Sequence, residues 1–141
     1  MDVDVARQRA RVRGTSEGAV ILLDTSAVIW LAQGHRRARP LEAFPRLYLS
    51  PASVLEVKFL EEAGRIRLRG GSSADALASD DRWRLDEPPS GEWFVTACEM
   101  DWTRDPFDRL LAAHARLRRW KLATADDLML ERLPPSAVVP L

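Results

Sequence analysis

Ala19-Val-Ile-Leu-Leu23 is a continuous apolar run, and it stops abruptly at Asp24-Thr-Ser. A strand with one wet face alternates apolar and polar residues; a run with no alternation is buried on both faces. The polar triplet that follows supplies a helix N-cap at Asp24 or Ser26, so the chain leaves the strand directly into a helix of roughly 26–33 ending near Gly34. A doubly covered strand feeding a helix is the opening of a parallel α/β sheet, and this constrains everything downstream.

The rest of the chain keeps that rhythm. Residues 46–50 read as a second short strand, and Ser50-Pro51 opens a helix to about Ala63, with Ser50 as N-cap and Gly64 as the stop. Ile66 and Leu68 alternate with arginines, and Gly70 to Ser73 form a loop. A weak helix over 74–80 and a short strand at 83–85 follow. Helices are expected from Ser90 to about Met100, with Trp93, Phe94, Ala97 and Cys98 on one inward stripe, and from Pro106 to about Arg119. Lys121–Thr124 is a strand, Asp126 begins a short helix, and 137–139 closes with a strand. The expected fold is α/β: a three-layer sandwich with a central, mostly parallel sheet of 4–5 strands flanked by helices, over residues 19–141. Residues 1–18 carry Arg7, Arg9, Arg11 and Arg13 but nothing able to build a core, and read as a mobile, solvated arm.

The 141 residues suit one domain. One cysteine, Cys98, closes no intramolecular bridge and is expected in the core. No apolar run is long enough to cross a bilayer and none has the form of a signal peptide, so a cytoplasmic protein is expected. Lys+Arg and Asp+Glu both number 21, which excludes binding of nucleic acid by bulk positive charge alone. The basic residues are almost all arginine, whose guanidinium grips phosphate bidentately.

In parallel α/β sheets ligands sit beyond the carboxyl ends of the strands. Asp24 follows the first strand, Asp126 follows the strand 121–124, and Asp108 lies in the first turn of the helix opened by Asp105-Pro106. Each alone is adequately explained by helix capping, with Asp105 and Asp108 in a capping-box arrangement. Glu56 is not. It falls inside the apolar stripe Ala52, Leu55, Phe59, Leu60, Ala63, where a charge must be paired, protonated or bound to a cation. Four carboxylates with no His or Cys at ligand spacing describe a hard-cation site for Mg2+ or Mn2+, suited to phosphate substrates. His35 in an Arg-rich loop and His114 in mid-helix do not make a zinc site, and His114 reads as a packed or half-exposed helix residue.

Those four carboxylates, in this order, resemble the PIN-domain nucleases, in particular VapC-type toxins of bacterial toxin–antitoxin modules. The matching segments are ILLDTSAVIW (21–30), SPASVLEVKFLEEAGRIRL (50–68), RDPFDRLLAAHA (104–115) and LATADD (122–127). The third is the most specific, and the 18-residue step from Asp108 to Asp126 fits the family. Thr103 stands where the family often has His, and His114 where its motif continues Ala-Gln-Ala.

The resemblance implies a metal-dependent endoribonuclease hydrolysing RNA phosphodiester bonds. Asp24 and Asp108 would hold the cation directly, Asp126 would complete the acidic pocket, and Glu56 would hold or deprotonate the attacking water. Ser26 and Thr124 would orient water around the cation. Partners implied are an RNA substrate, a cognate small antitoxin protein covering the groove, and a second copy in a homodimer. Arg36, Arg37 and Arg39 are the first candidates for the RNA track because they follow the Asp24 helix; Arg65, Arg67, Arg69, Arg116, Arg118, Arg119 and Lys121 are further ones. A catalytically silent PIN-like domain that only binds RNA or a partner is the alternative. A haloacid-dehalogenase-type phosphatase needs a second Asp where Ser26 stands, and a response-regulator receiver needs a lysine after a late strand, whereas Lys121 precedes its strand.

Overall fold

The computed structural model describes residues 19–68 and 74–141. The N-terminal arm (1–18), Arg69 and the expected loop from Gly70 to Ser73 lie outside the described residues. In chain order the elements are β1 (Val20–Leu23), α1 (Thr25–Gln33), a 3-10 helix (Arg36–Ala43), β2 (Arg46–Leu49), α2 (Pro51–Glu62), α3 (Ala74–Ala78), β3 (Arg84–Leu85), α4 (Ser90–Cys98), α5 (Pro106–Arg118), β4 (Lys121–Thr124), α6 (Asp127–Arg132), a 3-10 turn (Pro135–Ala137) and β5 (Val138–Pro140).

The five strands form one sheet in the order β3-β2-β1-β4-β5, every pair parallel. Each crossover carries helices, and successive β1 residues alternate between the two covered faces. Ile21 and Leu23 pack with Val28, Leu41, Val57 and Trp83 on one side. Leu22 packs with Trp93, Met100, Leu111 and Met129 on the other. All three β1 side chains are fully buried, as the unbroken apolar run requires.

The chain runs from β1 to β2 on one side and returns to β4 on the other, so the order reverses at β1. That reversal opens a crevice at the carboxyl ends of β1 and β4, held in register by the Asp24 amide donating to the Ala123 carbonyl at 3.0 Å.

Three expectations are corrected. The arginine-rich loop after Gly34 is an ordered 3-10 helix in which Ala38 and Leu41 are buried. Cys98 is exposed, because α4 turns Trp93 and Ala97 inward and leaves Phe94 and Cys98 outside. On α2 the buried face is Ala52, Ser53 and Val57, while Leu55 and Phe59 are about half exposed at 51% and 52%. Val57 joins the core cluster of Ile21, Leu23 and Leu49, while Phe59 lies edge-on to Phe107 of α5.

Candidate active site

Asp24 is the first residue after β1 and the N-cap of α1; its Oδ1 accepts from the Ala27 amide at 2.8 Å. Its side chain is buried, and burial lifts its pKa to about 6, against hydrogen bonds from Thr124 and the Ala27 amide, with Asp126 pushing it further up. Thr124 ends β4 and links the two acids: its hydroxyl donates to Asp24, while Oγ1 accepts from the Asp126 amide at 3.0 Å. Asp126 caps α6 through the Met129 amide at 2.9 Å. The capping role and the site role therefore coexist, since the same carboxylates that cap the helices line the crevice.

Asp108 lies in the first turn of α5. Burial, then the charges of Asp105, Asp126, Glu56 and Asp24, raise its pKa to about 7. Glu56 reaches the same crevice from α2. Burial raises its pKa, the Thr25 hydroxyl opposes this by hydrogen-bonding Oε1, and Asp105, Asp24 and Asp126 add to the rise. Thr25 also meets Ser53 Oγ at 3.1 Å. The single Thr25 proton goes to the carboxylate, so Ser53 donates to Thr25 in turn.

These side chains line one cleft of about 630 Å³, together with Ser26, Trp30, Gln33, Arg65, Arg67 and Asp105. All four carboxylates expected from the sequence meet there. Asp105 is a fifth that the sequence reading assigned to capping alone; it does cap α5, through the Phe107 and Asp108 amides at 2.8 and 3.2 Å, but its charge is also felt at Asp108 and Glu56. Its signal was the Asp105–Asp108 spacing, which puts two acids on one turn. Arg65 and Arg67 are the cationic lining of the cleft, and Arg36, Arg37 and Arg39 are not part of it. The Arg37 guanidinium lies 4.4 Å over the Trp30 ring and donates to the Leu141 carbonyl at 2.9 Å, bracing a cleft wall instead.

The donor set is all oxygen and strongly negative, which suits a hard divalent cation. Among the described residues no three His, Cys, Asp or Glu side chains close on a single point as a complete ligand cage.

A parallel sheet with acids gathered at its switch point is an arrangement that the family comparison places. The PIN domain family matches residues 21–134, and the chain belongs to it. Solved structures share the fold. A toxin–antitoxin complex from Klebsiella pneumoniae is similar at TM-score 0.63 and 20% identity, covering 84% of this chain and 95% of the other. VapBC2 from Rickettsia felis, bound to a DNA fragment from its promoter, gives 0.61 and 13% over 86% and 98%. PAE2754 from Pyrobaculum aerophilum gives 0.58 and 20% over 89% and 91%. No curated protein matches the chain. No helix among the described residues is long and apolar enough to cross a membrane.

Proposed function

We propose that this PIN domain is a metal-dependent endoribonuclease of the VapC type, the toxin of a toxin–antitoxin module. The observation that carries this reading is the meeting of Asp24, Glu56, Asp105, Asp108 and Asp126, from four separate segments, in one cleft beside Arg65 and Arg67.

Asp24 and Asp108 would hold a magnesium or manganese ion, with Asp126 completing the pocket through water. Their pKa values are raised first by burial and then by the neighbouring carboxylates, and a proton or a cation would offset both. A bound divalent cation would acidify water and neutralise charge gathering on the phosphate. Glu56 has Oε1 engaged by Thr25, which fixes the carboxylate and leaves Oε2 to take the proton of the attacking water. Ser26 and Thr124 orient water and the Asp24 carboxylate. Arg65 and Arg67 offer charge-assisted hydrogen bonds to the RNA phosphates that the acids alone would repel.

Structural neighbours described as a toxin–antitoxin complex and as VapBC2 favour an antitoxin protein as a partner of this chain. A seat for it over the acidic cleft and a homodimer are what the resemblance to VapC-type toxins implies. The test is incubation of the full chain with RNA in magnesium and in EDTA, beside Asp24→Asn and Asp108→Asn. Cleavage should require the metal and both carboxylates. Cleavage that survives EDTA and both substitutions rejects the metal-nuclease reading, and binding without cleavage under every condition makes the domain a silent RNA binder.

A further inference from the structure

A second cleft, of about 400 Å³, opens between the C-terminal half of α5, the start of β4 and the turn before β5. It lies at the opposite ends of the strands from the acidic site. Asp108 and Arg119 are separated by about 16 Å along α5 at about 1.5 Å per residue.

Its walls include the indoles of Trp102 and Trp120, and four cations reach it, Arg116, Arg119, Lys121 and Arg132, with no carboxylate among the lining residues. Arg116 pairs with Glu99 at 2.9 Å. The other three make no ion pair with any described residue. Trp120 has one face stacked on Tyr48 at 4.5 Å. Trp102 is partly buried against the core and also lines the cleft, and no aromatic ring or guanidinium among the described residues stacks on it.

Arg119 adds an independent sign. It caps α5 at φ 58°, and the other described residues with positive φ are Gly34 and Gly64. Glycine adopts that conformation without strain, yet here a long cationic side chain occupies it.

We infer that this cleft is a second RNA-contact site, in which a base of single-stranded RNA stacks on Trp102 while the neighbouring phosphates meet Arg119, Lys121 and Arg132. Aromatic faces combined with a cationic groove are how single strands are held without sequence preference. An acidic peptide would answer the charges alone, whereas a single strand answers the charges and the indole lining the cleft together. The inference rests on the ribonuclease reading and adds to it a substrate hold remote from the cleaved bond.

The test titrates a labelled single-stranded RNA oligonucleotide into the full chain in EDTA, so that binding is read without cleavage. Trp102→Leu keeps apolar bulk and removes the stacking face; affinity should fall by about five- to a hundredfold. Arg119→Gly should lower the salt slope of log K by about 0.7. Its melting temperature should equal or exceed that of the wild type, because glycine suits the position, so lost folding is not the cause. Both variants should keep the wild-type rise in melting temperature on adding magnesium, which reports the acidic cleft alone. Wild-type affinity and salt slope in both variants, while RNA is still bound and cleaved, would overturn this site and spare the ribonuclease reading. A chain that neither binds nor cleaves RNA, with Asp108→Asn indistinguishable from wild type, would overturn both. An acidic aromatic peptide that binds through Trp102 and Arg119 where RNA does not would also overturn the RNA assignment.

Discussion

Asp105 and Asp108 share the first turn of α5, and Oδ1 of Asp105 accepts the Asp108 amide at 3.2 Å while its charge lifts the Asp108 carboxyl. The residue that starts the helix therefore also tunes a residue of the site. After burial, it is the largest cause of Asp108 reaching a pKa of about 7. The cleft is built with more negative charge than it can hold alone, and protons or cations complete it.

One consequence is that the metal-free protein should lose stability as pH rises from about 4 to about 7. Asp24 and Asp108 have folded pKa values of about 6 and about 7, above the 3.8 of an ordinary aspartate. In that window the folded state binds more protons than the unfolded one, so their contribution is fully present below 3.8 and is lost through 6 to 7. Asp108→Asn removes a large part of this loss. Melting curves in EDTA across the window should show a shallower fall for the variant, and identical slopes would refute the placement of Asp108.

Magnesium or manganese should raise the melting temperature, and more above neutrality than in mild acid, where the ligands carry protons. At a hundredfold excess over Kd the gain is about 2.7 kcal/mol. Asp108→Asn should abolish most of it. Calorimetric scans with and without metal at the two pH values decide this, and an equal rise in wild type and variant counts against the site.

The central strands were legible from their buried residues: β1 is a short apolar run, β4 buries Leu122, Ala123 and Thr124, each has an acid shortly beyond its end, and they bring Asp24 and Asp126 together. Glu56 was found from a stripe that α2 does not bury. Leu55 and Phe59 are half exposed, Phe59 lying edge-on to Phe107 of α5, and Glu56 lines the cleft next to the buried Ser53 and Val57. Periodicity gives a helix a face but does not say which neighbour selects it. The same limit put Arg65 and Arg67 behind Arg36, Arg37 and Arg39 as candidates. They follow α2 in an irregular segment, and only the tertiary path brings that segment to the cleft.

Thr25 should matter to activity through Glu56. Its hydroxyl stabilises the ionised carboxylate against burial and three neighbouring acids. Thr25→Val keeps the shape and removes the hydrogen bond, so the Glu56 pKa rises further and the acid limb of the rate profile moves to higher pH. Glu56→Gln should lower kcat by about 10²–10⁴-fold as a lost general base, with Thr25→Val falling short of that. A pH–rate profile of Thr25→Val that overlays the wild type would remove Thr25 from the mechanism.

His114 joins the two halves of the scaffold away from the cleft. It is fully buried, with Nδ1 3.0 Å from Ser50 Oγ and Nε2 2.7 Å from Asp86 Oδ2. Ser50 Oγ accepts the Ala52 amide at 3.2 Å, which leaves its proton for Nδ1, so the neutral ring carries its hydrogen on Nε2 and donates to Asp86. Burial holds the His114 pKa below its ordinary value. At Asp86 burial acts upward, but hydrogen bonds from Arg118 and His114 outweigh it and keep the carboxylate ionised. His114→Leu leaves the Ser50 hydroxyl proton without its acceptor at the start of α2 and should cost about 1–3 kcal/mol. His114→Gln retains hydrogen-bonding groups and should cost less. A lowered histidine pKa means that stability from this residue is present above about 6.5 and declines as pH falls below it. The difference in unfolding free energy between wild type and His114→Leu should therefore shrink toward pH 5, as about the unfolded-state titration requires. Denaturant unfolding of the three proteins at both pH values checks it, and a pH-independent difference would show that the ring is not held neutral by this packing.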